Sequence, residues 1–257
     1  MATITAIASQ KGGTGKTTTA ISLAAGLARR GKYVLLIDVD SQANASKVLL
    51  PYYSQIRKED TVHRTILQLQ PLPIHETALP RLWIVPAHIL LSNTDVELSR
   101  GENETLPLSL RASRLKYQVD RIKDEYDHIF IDCPPALGWL TLNAFTAADQ
   151  VLVIVSPGYF ELDSIVQISK TIAETRKYFN PTLEVRGLLF TMSDPTAGTV
   201  NSLALLRQAY GDYLLQTIIP RNTDVRDAHF SKQDIFGYNP MAKGALAYAR
   251  LIEELYA

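Results

Sequence analysis

The chain has 257 residues, 46% of them hydrophobic and 20% charged, and its 26 basic and 26 acidic side chains cancel to a formal net charge of zero. That length can bury a substantial core, and the composition is that of a globular chain, not a disordered or fibrous one. No apolar run approaches the roughly 20 residues a membrane span needs, no basic-then-apolar leader opens the chain, and the one cysteine, Cys133, excludes an intrachain disulfide framework.

Cytoplasmic residence is the expectation, and any nucleic-acid binding has to come from a local patch. The five histidines show no ligand-like spacing. Apolar runs alternate with helical patterns from end to end, which predicts one α/β domain over 1–257. Its sheet should be doubly wound and mostly parallel, with about seven or eight strands and helices on both faces.

The first strand is expected at Thr3–Ser9. It is followed by Gln10-Lys11-Gly12-Gly13-Thr14-Gly15-Lys16-Thr17-Thr18 and then by a helix over Lys16–Arg30 that Gly31 should cap. A strand, a glycine-rich turn and a helix make a phosphate-binding loop. Glycines let backbone N–H groups converge on phosphate oxygens, and the helix N-terminus adds a favourable dipole. Lys16 is placed to reach the β- and γ-phosphates of ATP, and the Thr17 hydroxyl to ligate Mg²⁺.

A second strand over Tyr33–Asp38 runs into Asp38-Val39-Asp40, two carboxylates at the edge where open α/β sheets bind ligands. Strand alternation would send the two side chains to opposite faces, so a bend is expected at Asp40. Pro51–Pro80, with four prolines, reads as an irregular loop-and-helix insertion of unassigned role. Further strands are expected at Leu82–Pro86, His128–Asp132, Gln150–Ser156, Glu184–Thr191 and Leu215–Pro220. Helices are expected at Leu110–Glu125, Leu162–Phe179, Val200–Tyr210 and Met241–Tyr256. The strand ending in Asp132 has the Walker B pattern, whose carboxylate holds Mg²⁺ through water. Cys133 beside it reads as a small buried residue.

The loop has Gln10 where the standard motif has glycine, and it carries a second lysine, Lys11. In this it resembles the deviant Walker A loop of the ParA/MinD family of P-loop ATPases. Asp38-Val39-Asp40-Ser41-Gln42 is similar to the family's first switch, with Ser41 in place of the usual proline. Pro134-Pro135-Ala136-Leu137-Gly138 resembles the second switch. Val155–Leu162, Leu189–Asp194, Ile219–Asn222 and Phe236–Ala245 also look like family segments. The resemblance implies that Lys11 crosses a dimer interface to the partner's nucleotide, that Asp38 lies near the Mg²⁺ shell, and that Asp40 positions the attacking water. It also implies that Met192 and Pro220 contact adenine. Lys11, Lys16 and Asp40 are thus the candidate catalytic residues, and Thr17, Asp38 and Asp132 the candidate metal residues. Gly12, Gly13, Thr14, Gly15, Lys16, Thr17 and Thr18 form the candidate phosphate cradle.

The same resemblance implies an ATP-dependent homodimer that binds non-specific DNA on the nucleoid. A ParB-like or other adaptor would stimulate hydrolysis, so that a plasmid, a chromosomal origin or a protein organelle such as the carboxysome is moved. Arg221, Arg226, Lys232 and Lys243 are the candidate DNA contacts, interrupted by Asp224 and Asp227. The C-terminal segment has one basic and two acidic residues over 245–257, which suits a packed helix and not a membrane-surface one. No helix-turn-helix is expected ahead of the first strand. A small-molecule P-loop kinase or ligase, a MinD-like positioning ATPase without DNA binding, and a non-enzymatic nucleotide-binding regulator remain as alternatives.

Overall fold

The computed structural model describes residues 2–100, 103, 105–158 and 161–256. In chain order the elements are β1 (Thr3–Ala8), α1 (Lys16–Arg29), β2 (Val34–Asp38), α2 (Asn44–Leu49), α3 (Val62–Gln68), β3 (His75–Glu76), β4 (Leu82–Val85), α4 (Thr94–Ser99), α5 (Leu108–Ala112) and α6 (Arg114–Val119). They continue with β5 (His128–Asp132), α7 (Trp139–Ala147), β6 (Gln150–Val155), α8 (Glu161–Tyr178), β7 (Glu184–Phe190), α9 (Ala197–Tyr210), α10 (Thr223–Phe230), α11 (Ile235–Tyr238) and α12 (Lys243–Tyr256).

Period-two alternation explains how these elements layer. On β2, Leu35 and Ile37 face one core while Val34 and Leu36 face the other; on β5, Ile129 and Ile131 oppose Phe130. One core is closed by α3, α6, α7 and α8, and the other by α1, α2 and α12. Each fully buried Leu, Ile or Phe in these layers contributes about 1.5–3 kcal/mol. The sheet has the order β3-β4-β2-β5-β1-β6-β7, parallel except for the β3–β4 edge pair. From β1 the chain goes to one side through β2 and β4, returns to insert β5 between β2 and β1, then crosses to β6 and β7 on the other side. The carboxyl end of β1 is therefore the switch point where ligands bind in such sheets.

Helix α1 packs tightly on α12. A Cβ on Gly26 would overlap Ile252 Cδ1 and stand 3.0 Å from Phe236 Cε2, so glycine is what allows the approach. Gly31 ends α1 at φ 88, with its N–H on Ala28 O, as expected of a capping glycine. The last helix is packed as anticipated, burying Tyr248, Leu251 and Ile252.

Two expectations need correction. Leu215–Pro220 is not a strand: isolated bridges, Leu188 with Leu214 and Ser193 with Pro220, and the bond from Ile219 N to Phe190 O at 2.9 Å tie it to β7 and the turn beyond. The N–H groups of Gln216 and Thr217 donate instead to the Glu254 carboxylate on α12, at 2.7 and 2.9 Å. The expected helix over Leu110–Glu125 is broken into α5, α6 and a short 3₁₀ turn. Asn143 enters at the break: its Oδ1 accepts from Leu115 N–H and its Nδ2 donates to Arg111 O, taking both halves of one i→i−4 bond. The 51–80 segment is a loop-and-helix insertion as expected, carrying α3 and the short edge strand β3. Its α3 docks on α6 because the Arg114 guanidinium donates to Ile66 O and Leu67 O, and Gln118 Nε2 to Leu69 O. No helix among the described residues is long and apolar enough to cross a membrane.

Candidate active site

Strand β1 delivers the loop to the switch point, and two left-handed residues shape it, Gly13 at φ 75 and Gly15 at φ 88. Gly15 ends the loop, its carbonyl accepting from Thr19 N at 2.8 Å, so the first amides of α1 are left for a ligand. Lys16 is almost fully buried, with Nζ on Lys11 O at 2.9 Å. Burial lowers its pKa, and the charges of Asp132 and Asp40 oppose that shift. Lys11 Nζ lies 2.9 Å from Glu161 Oε1, whose carboxylate also accepts from Ser156 Oγ at 3.3 Å. Glu161 was not foreseen. It begins a helix 150 residues downstream, and although its segment, Val155–Leu162, looks like a family segment, nothing in it ties the carboxylate to Lys11.

The register of β2 and β5 sets Asp38 beside Asp132. Asp38 is fully buried and well satisfied: Oδ2 accepts from Ser46 Oγ at 2.7 Å and Ser46 N at 3.0 Å, and Oδ1 from Asp40 N at 3.2 Å. Ser46 Oγ in turn accepts from Ala87 N. The bend foreseen at Asp40 is present. Ala43 N bonds Asp40 O at 2.8 Å, and Ala43 itself is left-handed at φ 52.

Asp132 differs from Asp38. Both its oxygens are buried without a hydrogen-bond partner, although the Thr17 hydroxyl lies close enough to favour the ionised form. Burial first, then the Asp38 charge, pushes the Asp132 pKa well above the usual carboxylate range; burial does the same to Asp38 against the bonds from Ser46. Two unsatisfied carboxylate oxygens beside a threonine hydroxyl fit a hard cation such as Mg²⁺, which binds one or two carboxylates and completes its shell with phosphate and water. Among the described residues no cluster of three or more His, Cys, Asp or Glu could hold a metal alone. Cys133 is buried, and its thiol pKa is pushed up by desolvation.

Two cavities open over this floor. One of about 620 Å³ is lined by Gly12, Gly13, Lys16, Thr17, Asp40 and Pro135, among others. The other, of about 650 Å³, is lined by Met192, Ile219, Pro220 and Tyr248. Met192 and Pro220 therefore stand in one cleft with the loop. Met192 adopts φ 52, and its Cε stands 3.6 Å from where a Gly15 Cβ would be. Thr14 is buried in the loop's underside, its carbonyl accepting from Thr191 Oγ1. The candidate DNA contacts are divided: Arg221 and Arg226 line the second cavity, Lys232 Nζ donates to Pro51 O, and Lys243 begins α12. Tyr159 and Phe160, in the segment read as a strand-to-helix turn, lie outside the described residues.

A family described as an AAA domain matches residues 2–185. The chain is 35% identical over 260 residues to the sporulation initiation inhibitor protein Soj of Bacillus subtilis, covering 100% of this chain and 99% of that one. It is 39% identical over 254 residues to the chromosome-partitioning ATPase Soj of Thermus thermophilus, covering 98% and 94%. Among solved structures, cobyrinic acid a,c-diamide synthase from Mycobacterium smegmatis with bound ATP analog and magnesium superposes with a TM-score of 0.79 at 28% identity, over 98% of this chain and 93% of that one.

Proposed function

The chain belongs to the ParA/MinD family of P-loop ATPases, among its Soj-like members, and from that premise we propose that ATP binding pairs two copies and hydrolysis parts them. It is an ATPase, with ATP as substrate and Mg²⁺ as cofactor. In the proposed assignment, the amides of 12–18 cradle the phosphates and Lys16 neutralises the β/γ oxygens. Thr17 and Asp132 hold the cation, with Asp38 behind them. When bound, magnesium supplies charge neutralisation at the phosphoryl group in flight. Asp40 orients the attacking water from the lining of the phosphate-side cavity. Phosphoryl transfer needs little else from the protein than position and electrostatics.

The observation that carries the pairing is Lys11, a second lysine in the loop that neighbours the phosphate site yet is tied to Glu161 and not to the cradle. Reaching a partner's nucleotide would give it a phosphate in exchange for that carboxylate. The paired form is proposed to bind non-specific DNA through Arg221, Lys232 and Lys243 doubled by symmetry, and so to ride the nucleoid. A ParB-like adaptor would raise turnover, and the whole of 1–257 would act as one unit. The cargo class is a plasmid, an origin or a protein organelle.

A second reading, a ligase acting on a small molecule, is favoured by the likeness to the amide synthase alone. Light scattering separates the two. With Mg²⁺ and a non-hydrolysable ATP analogue, the mass should double for the wild type and stay single for Lys11→Ala. A wild type that remains monomeric at saturating nucleotide, turning over ATP only with a small acceptor, overturns the pairing.

A further inference from the structure

The base-side and phosphate-side cavities share part of their lining. Gly15, Thr18 and Met192 border both from the body of the sheet, and Arg226 and His229 border both from α10. A nucleotide with its base over Pro220 and its phosphates on the loop has to pass its ribose and α-phosphate through that shared neck. Arg226 and His229 are three residues apart on one helix and so present a common face. The helix is firmly seated. Ala228 between them is fully buried, and its carbonyl accepts from Gln233 N at 2.9 Å.

We infer that Arg226 and His229 form the ribose and α-phosphate subsite of the nucleotide cleft. The inference rests on the ATP-binding reading and adds two residues that the sequence had assigned to DNA or to nothing. Arg226 holds Asp227 Oδ1 through Nε at 3.3 Å, and neither Nη nitrogen meets an acceptor among the described residues. An exposed guanidinium with its fork free matches a phosphate oxygen pair. The His229 ring makes no hydrogen bond among the described residues. Burial lowers its pKa, so at pH 7 it is neutral, with one nitrogen to donate and one to accept. That is the pattern a ribose hydroxyl, itself donor and acceptor, can satisfy.

The subsite contacts what ATP and ADP have in common, so it should not sense the γ-phosphate. Titration calorimetry with Mg-ADP and a non-hydrolysable ATP analogue tests this. Arg226→Ala should weaken both about ten- to a hundredfold, the range for one lost charge-assisted bond, and Arg226→Lys should restore part of it. His229→Ala should weaken ADP while leaving 2′,3′-dideoxy-ADP at its wild-type affinity. Unchanged affinities in Arg226→Ala, with a wild type that binds normally, overturn the subsite. A loss confined to the ATP analogue also overturns it, since Arg226 would then answer to the γ-phosphate or to a partner. Loss of DNA retention with ADP affinity intact returns Arg226 to nucleic acid and overturns it too. A wild type that binds neither nucleotide removes the ATP-binding reading, and the subsite with it.

Discussion

Asp132 is the residue at which folding and function pull apart. Its two oxygens are buried without a hydrogen-bond partner, and burial together with the neighbouring Asp38 raises its pKa. A carboxyl that holds its proton more tightly folded than unfolded costs stability as pH rises from the ordinary carboxylate range through the raised value. Asp132→Asn removes that cost. In EDTA at neutral pH the variant should be about 1–2 kcal/mol more stable than wild type by urea denaturation, the usual size of such a gain at a functional site. The gap should close below about pH 4, where the unfolded carboxyl is protonated as well. ATPase activity should be lost. A variant less stable than wild type at neutral pH would show that Asp132 is held by contacts and not strained by its burial. The phosphate loop and Asp38, Asp40 and Asp132 were legible in the sequence because each sits on a local motif at a strand end. Glu161, Arg226 and His229 were not, since their place beside the loop comes from elements far along the chain, and Ser46, only eight residues past Asp38, was not because no motif marks its hydroxyl.

Elements were legible where the pattern is local and lost where a distant side chain intervenes. The long apolar runs of β2, β5 and β6 declare themselves, and their observed ends differ from expectation by a residue or so. Two failures have named causes on other elements, Asn143 splitting α5 from α6 and Glu254 interrupting the Leu215–Pro220 segment. Both are testable. Asn143→Ala leaves Leu115 N–H and the carbonyls of Arg111 and Trp139 without their present partner, so it should cost about 2–4 kcal/mol in denaturant unfolding. A near-zero cost with increased helical circular dichroism would mean that α5 and α6 fuse and repair the ladder. Glu254 gives the opposite pH signature to Asp132. Burial would raise its pKa, but the bonds from Thr217 and Gln216 and the Arg186 charge outweigh it and hold the carboxyl low. Its contribution is present above the ordinary glutamate range and is lost as pH falls through the depressed value. Glu254→Gln should therefore cost about 0.5–1 kcal/mol at pH 7, discounted for its partial exposure, and nothing in strong acid. A cost that does not change with pH would show that the charge plays no part.

At the scale of the whole molecule, the doubly wound plan followed from the strand–helix rhythm, but the sequence shows nothing of what the loop lysine holds within one copy. The structure has Lys11 on Glu161, and reaching across to a second copy would take that amine off the carboxylate unless the two move together. Pairing by way of Lys11 would leave Glu161, whose side chain is only 6% exposed, with Ser156 Oγ as its remaining side-chain partner among the described residues. Leaving a buried carboxylate without its cation opposes the paired state, by about 1–3 kcal/mol if the loss is that of one charge-assisted bond. Glu161→Gln keeps the shape and the bond to Ser156 but removes the charge that holds Lys11 back. Each pair releases two such contacts, so the equilibrium should move towards the pair by up to twice that amount, and sedimentation in Mg²⁺ and a non-hydrolysable ATP analogue should show dimer at a protein concentration lower by at least about tenfold. Lys11→Ala in the same background should abolish the gain, because the benefit passes through that amine alone. If Glu161→Gln instead weakens pairing, the carboxylate travels with Lys11 into the dimer and orients it there. The intrachain contact would then be part of the assembled site and not a restraint on assembly.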